Sequence, residues 1–124
     1  MKVLVIDDSS VARRTIALTV ESLGFEVIEA KDGEEGLKKL SQESEELSLI
    51  LLDWNMPGMS GLEVLKKIKE IEGLESIPVM MVTTEMERAN MIAAVKAGAK
   101  HYVTKPFTPE SLSVRIMQCL GAAE

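Results

Sequence analysis

Three carboxylates, a hydroxyl and an ammonium fall at telling places in this sequence: Asp7 and Asp8, Asp53, Thr83 and Lys105 each come at the end of a short apolar run. Brought together, close carboxylates repel one another, and such a cluster persists when a cation relieves it. Mg²⁺ suits an all-oxygen donor set and keeps several waters, so two carboxylates and a carbonyl would serve it. With that cation bound, Asp53 can act as a nucleophile toward phosphorus, as carboxylates do when forming an aspartyl-phosphate. Lys105 offers a mobile cation for phosphoryl oxygens, and Thr83 offers a hydroxyl donor. Each residue alone has a plainer reading. An Asp after a strand is ordinarily a turn or cap residue, an Asp-Asp pair two solvated carboxylates, and a Lys-Pro an exposed loop. Only their convergence makes a site.

Convergence depends on the elements that carry them. Val3-Leu4-Val5-Ile6 runs into Asp7, Leu49-Ile50-Leu51-Leu52 into Asp53, and Pro78-Val79-Met80-Met81-Val82 into Thr83. Lys100-His101-Tyr102-Val103-Thr104 runs into Lys105, and Glu26-Val27-Ile28-Glu29-Ala30 alternates as a strand near a sheet edge does. Strands covered on both faces read as continuous apolar runs, so the first, third and fourth belong at the centre of a parallel sheet. Between the runs lie helical patterns. Ala12, Ile16, Val20 and Leu23 share a face that Gly24 ends. Ser60-x-x-Glu63 is a capping box ahead of a stripe at Leu62, Leu65 and Ile68. Thr84-x-x-Glu87 is a second box, leading into Ile92, Ala93 and Val95 with Gly98 closing. Thr108-Pro109 opens a last helix with its stripe at Leu112, Ile116 and Leu120. Ser41 to Glu46 reads as a polar connecting loop.

Strands alternating with helices imply an α/β fold, a parallel sheet with helices on both faces. Ligands bind such sheets outside the strand C-termini, where strand order reverses. Asp7, Asp8, Asp53, Thr83 and Lys105 all map to that edge, from four separate strands.

The rest of the sequence is mainly exclusions. A chain of 124 residues holds one domain, spanning 1–124. A balance of 14 basic against 20 acidic residues argues against nucleic-acid binding, which needs clustered cations. The lone Cys119 and lone His101 exclude an internal disulfide and any multi-thiolate or multi-imidazole metal centre. Neither a secretion signal nor an apolar run near the ~18 residues of a membrane span is present, so a cytoplasmic protein is expected. The first strand–helix turn lacks Gly-x-Gly-x-x-Gly, which removes a dinucleotide site.

Ile6-Asp7-Asp8-Ser9, Leu52-Asp53-Trp54-Asn55-Met56-Pro57-Gly58-Met59-Ser60-Gly61, Met81-Val82-Thr83-Thr84-Glu85, Ala97-Gly98-Ala99-Lys100 and Tyr102-Val103-Thr104-Lys105-Pro106-Phe107 resemble the receiver domains of two-component response regulators. The likeness spans the chain and is strongest to the single-domain receivers of chemotaxis. It implies a flavodoxin-like sheet of order 2-1-3-4-5; the order comes with the family, since apolar runs alone leave it open. It implies Asp53 as phospho-acceptor, and Mg²⁺ held by Asp8, Asp53 and the main-chain carbonyl of Asn55, with Asp7 acting through water. It further implies that Lys105 pairs with the phosphoryl group through a cis Lys105–Pro106 bond, that Thr83 closes on it, and that Tyr102 swings inward behind Thr83. A histidine kinase would be the phosphodonor. The phosphorylated form, a monomer, would bind a protein target such as the flagellar motor switch. Asn55 and Glu85, each two residues beyond a site residue, flank the route for attacking water and are expected to set the phosphoryl lifetime.

The output surface expected from these placements is the last helix pair with its strand, around Arg88, Met91, Lys96, Tyr102, Ser111 and Arg115, with Met86 a further candidate beside the switch. Trp54 reads as a rim residue, His101 as a surface residue and Cys119 as packing. Other readings are a receiver excised from a larger regulator, a phosphorelay intermediate and, from a different class, an Asp-nucleophile phosphatase. The last needs Asp-x-Asp, and Asp53 is followed two residues later by Asn55. Phosphorylating and dephosphorylating itself does not make the chain an enzyme.

Overall fold

The computed structural model of the protein describes residues 1–43, 46–84 and 88–121, the side chains of Glu43, Thr83 and Arg88 excepted. Strands and helices alternate: β1 (Lys2–Ile6), α1 (Ser10–Ser22), β2 (Glu26–Ala30), α2 (Gly33–Glu43), β3 (Leu47–Leu52), α3 (Gly61–Glu70), β4 (Val79–Thr83), α4 (Arg88–Lys96), β5 (His101–Thr104) and α5 (Pro109–Cys119). All strand pairs are parallel, in the order β2-β1-β3-β4-β5. The expected architecture and strand order are both present.

Period-2 alternation divides the core in two. Leu4, Ile6, Ile50, Leu52, Val79 and Met81 face one layer with Leu40 of α2, Val64, Leu65 and Ile68 of α3, and Ala94 of α4. Val3, Val5, Leu49, Leu51, Met80 and Val82 face the other, with Ile16 and Val20 of α1 and Leu112, Ile116 and Cys119 of α5. Burying each Leu- or Ile-sized side chain stabilises by about 1.5–3 kcal/mol, so the central strands are the best anchored. Strand ends there are correspondingly well fixed.

Helix starts follow their caps. Ser9 accepts from the Ala12 N–H at 3.2 Å, and Ser60 and Thr108 each complete a capping box, with Glu63 and Ser111. Asp32 accepts from the Glu35 N–H at 2.8 Å while Glu35 accepts from that of Lys31 at 3.1 Å, a start signal for α2 beyond those expected from the sequence. The box expected at Thr84 and Glu87 lies outside the described residues.

Three expectations need correction. Ser41 to Glu43 is not loop: α2 runs through it, with no Gly or Pro to stop it and the Ser41 hydroxyl donating back to the Lys38 carbonyl at 2.8 Å. On α3 the buried face is Gly61, Val64, Leu65 and Ile68, and Leu62 is only half-buried. On α4 it is Ala94 that is buried, while Ile92 and Val95 are 47% and 61% exposed. That helix is apolar on several sides, so its pattern does not say which side turns inward.

Candidate functional site

Order 2-1-3 makes the gap between β1 and β3 the place where the chain's direction of travel across the sheet reverses. Ile6 and Leu52 are register partners, so the residues that follow them emerge side by side. The Asp53 N–H donates to the Ile6 carbonyl at 3.0 Å, and that of Asp7 to the Ala30 carbonyl at 3.1 Å. Asp7, Asp8 and Asp53 meet with one carboxylate oxygen from each within 4.8 Å of the others. Asp7 and Asp53 are buried, 1% and 7% exposed, whereas Asp8 stands in solvent.

Lys105, just past β5, reaches across the edge. Its Nζ lies 2.7 Å from Asp7 Oδ2 and 3.8 Å from Asp53 Oδ2. The Lys105–Pro106 peptide is cis, as the resemblance implied. One ammonium does not balance three carboxylates. Burial, then the Asp7 charge, push the Asp53 carboxyl from 3.8 up to about 7, with Asp8 adding to the rise and Lys105 opposing it.

The loop after β3 opens the site to solvent. Asn55 is exposed and lines, with Asp8, Trp54, Met56, Pro57 and Ser60, a hollow of about 330 Å³ beside the carboxylates. Trp54 sits half-buried at its rim, as expected. Gly61 is packed so tightly that a Cβ would stand 2.1 Å from the Asp53 carbonyl oxygen, and its N–H donates to the Trp54 carbonyl at 2.8 Å. A glycine at the first residue of α3 thus lets that helix abut the end of β3. β4 ends at Thr83, in backbone register with Thr104 of β5. The Thr83 side chain and all of Glu85 and Met86 lie outside the described residues.

Residues 3–117 match the family of response regulator receiver domains. The chain belongs to this family. The chemotaxis protein CheY1 of Helicobacter pylori is 43% identical over 122 residues, covering 98% of each chain. A CheY homolog of Campylobacter jejuni is 44% identical, covering 98% of this chain and 93% of its own. The crystallised chemotaxis protein CheY4 of Vibrio cholerae superposes with a TM-score of 0.90 at 34% identity, covering 96% of this chain and 98% of its own. The phosphatase reading falls with that match, because the acidic edge belongs to a receiver throughout.

In this receiver the face made by α4 and β5 is the second unusual region. Met91, Ile92, Val95, Lys96 and Tyr102 line a largely apolar hollow of about 530 Å³. Tyr102 is half-buried and packs against the α2–α3–α4 side of the core. Ser111 and Arg115 are exposed on α5, and Arg115 joins Lys100, His101 and Tyr102 around a smaller recess of about 100 Å³. His101 is therefore half-buried and not the plain surface residue expected, since α4 and α5 flank the edge strand. No described helix is long and apolar enough to cross a membrane.

Sequence reasoning missed Arg13. Its Nη1 donates to the Asp7 main-chain carbonyl at 2.8 Å. No spacing rule marks an arginine on the first turns of a helix as reaching back to the strand before it.

Proposed function

We propose that this receiver is a phospho-switch that accepts a phosphoryl group on Asp53 from a histidine kinase and signals through altered affinity for a protein target. The observation that carries the reading is the Lys105 ammonium poised between two buried carboxylates, 2.7 Å from Asp7 and 3.8 Å from Asp53. A cation so placed can leave Asp7 for the phosphoryl oxygens as they arrive.

The residues present fit Mg²⁺. All donors are oxygens, Asp8 and Asn55 are exposed and leave room for the waters that ion keeps, and burial together with the Asp7 charge raises the Asp53 carboxyl, a cost a cation would relieve. Asp8, Asp53 and the Asn55 carbonyl would hold it, with Asp7 acting through water. When bound it would neutralise the carboxylates and the phosphoryl oxygens. Asp53 then forms an oxygen–phosphorus bond as the phosphorus–nitrogen bond of a phosphohistidine breaks, its electron pair returning to the imidazole. Water attacking phosphorus later breaks that oxygen–phosphorus bond, releasing inorganic phosphate and restoring the carboxylate, at a rate set by Asn55 and Glu85.

Phosphorylation replaces one carboxylate charge by about −1.5 to −2. Thr83 and Tyr102 relay this change to the α4–β5 hollow, a two-state element whose population the phosphoryl group shifts. Relatives named as chemotaxis proteins support a target in the flagellar motor switch, reached in the cytoplasm. Acetyl phosphate with Mg²⁺ should add one phosphate to the wild type, read by intact mass, and none to Asp53→Asn. Equal labelling of the variant would refute the assignment.

A further inference from the structure

Resting on the reading of the acidic edge as a metal and phosphoryl site, we propose that Arg13 is a positioning residue for it, holding the Asp7–Asp8 peptide so that the Asp8 carboxylate faces the metal. Asp8 needs such support. It is exposed, it follows the last strand residue by two positions, and among the described residues none hydrogen-bonds its carboxylate. Asp7 is held by comparison on all sides. Its N–H donates to Ala30, its Oδ1 accepts from the Ser9 N–H at 2.9 Å, and its Oδ2 accepts from Lys105 at 2.7 Å.

What the two residues share is the peptide plane between them, and the Asp7 carbonyl oxygen is part of that plane. Arg13 Nη1 donates to that oxygen at 2.8 Å. Fixing it limits rotation at Asp7 ψ and so sets where the chain delivers Asp8. The guanidinium is itself held. Its Nε lies 3.3 Å from Glu29 Oε1, its side chain is 19% exposed, and Glu29, paired in register with Val5, also meets Arg14 Nη1 at 3.3 Å. One side chain on α1 thus ties the end of β1 to β2, beside a carboxylate that no described residue hydrogen-bonds. Groups that orient metal ligands commonly govern affinity by ten- to a hundred-fold.

Positioning and plain electrostatics predict opposite signs. Arg13 is a cation near a cation site, so by Coulomb repulsion alone its removal would tighten metal binding. Loss of a positioning contact weakens it. The weakening falls hardest on Mg²⁺, which demands near-ideal octahedral geometry, and less on Ca²⁺, whose coordination is flexible.

Trp54, at the rim of the site, reports binding through its emission. Titrations of Mg²⁺ and Ca²⁺ into wild type, Asp8→Ala, Arg13→Met and Arg13→Lys test the proposal, with Val20→Ala as a control of lowered stability. In Arg13→Met the Mg²⁺ Kd should rise about tenfold and the Ca²⁺ Kd about twofold, with partial recovery in Arg13→Lys and no change in Val20→Ala. Unchanged or tighter Mg²⁺ binding in Arg13→Met, or equal weakening for both ions, would overturn the role of Arg13. A wild type that responds no more than Asp8→Ala would overturn the metal site, and this role with it.

Discussion

The acidic edge and the α4–β5 face break the rule of burial in opposite directions. At the edge, the carboxyl groups of Asp7 and Asp53 are buried; on the face, Ile92 and Val95 are apolar and exposed. A buried polar group costs stability unless paired, and large exposed apolar patches often mark interaction sites. The two regions also differ in how they are held. The three carboxylates of the edge hang from central strands packed on both sides and converge within a few ångströms. The face belongs to a nine-residue helix and to the edge strand β5, where packing is thinner. The proposed chemistry thus lies where the scaffold is best packed, and the proposed output surface where it is least packed.

The largest effect should come from removing the counter-charge at the edge. Lys105→Met leaves the buried Asp7 carboxylate without its 2.7 Å partner and takes away the ammonium that holds the Asp53 carboxyl down. Breaking such a pair costs about 3 kcal/mol. Urea melts of the metal-free protein should show that loss, and Asp7→Asn added to Lys105→Met should restore much of it, because the stranded charge is gone. If Lys105→Met melts like wild type, the edge is not under the electrostatic load inferred for it.

Asp53 itself should give an effect of similar size and opposite sign. Folded, it keeps its proton up to about pH 7; unfolded, it releases it near 3.8. The stability this proton contributes is complete below about pH 4 and is lost as pH rises through 7. Metal-free wild type should therefore weaken relative to Asp53→Asn across that window. By pH 8 the variant should be the more stable by on the order of 2–4 kcal/mol, at 1.36 kcal/mol per pKa unit. The difference between the two proteins isolates Asp53 from the other carboxylates. Saturating Mg²⁺ should erase most of it. A pH-independent difference would mean that Asp53 titrates alike in the folded and unfolded chain.

These two regions are unequally legible in the sequence. Strand ends are marked twice, by the apolar run that stops and by the polar residue that follows, so Asp7, Asp8, Asp53 and Lys105 could be assigned to one edge. Their geometry could not: that Lys105 lies closer to Asp7 than to Asp53 depends on contacts between residues 98 positions apart. On α4 the sequence misleads, because Met91, Ile92, Ala93, Ala94 and Val95 are all apolar and any of them fits an inward face. The structure turns the small Ala94 inward and Ile92 and Val95 out. Arg13 was invisible for a third reason, since its partner is a main-chain oxygen that no residue type advertises.

The smallest effect on folding should belong to the α4 face, and its smallness is the point of the test. Ile92 and Val95 are 47% and 61% exposed and line the apolar hollow with Tyr102, while Ala94 alone of that helix is buried among its described side chains. If their exposure served the fold, replacing them would cost what core truncations cost, a few kcal/mol. If it serves a partner, Ile92→Ser with Val95→Ser should change unfolding free energy by no more than about 0.5 kcal/mol per site. Labelling of Asp53 by acetyl phosphate should be unaltered, because the hollow touches none of the edge residues. Affinity of the phosphorylated protein for the flagellar motor-switch protein of the source organism should fall by about 2 kcal/mol, more than tenfold, as buried apolar anchors at an interface do. Calorimetry on phosphorylated wild type and variant, beside matched urea melts, separates the two outcomes. Unchanged affinity with unchanged stability would leave these side chains exposed for no purpose and would move the output surface elsewhere.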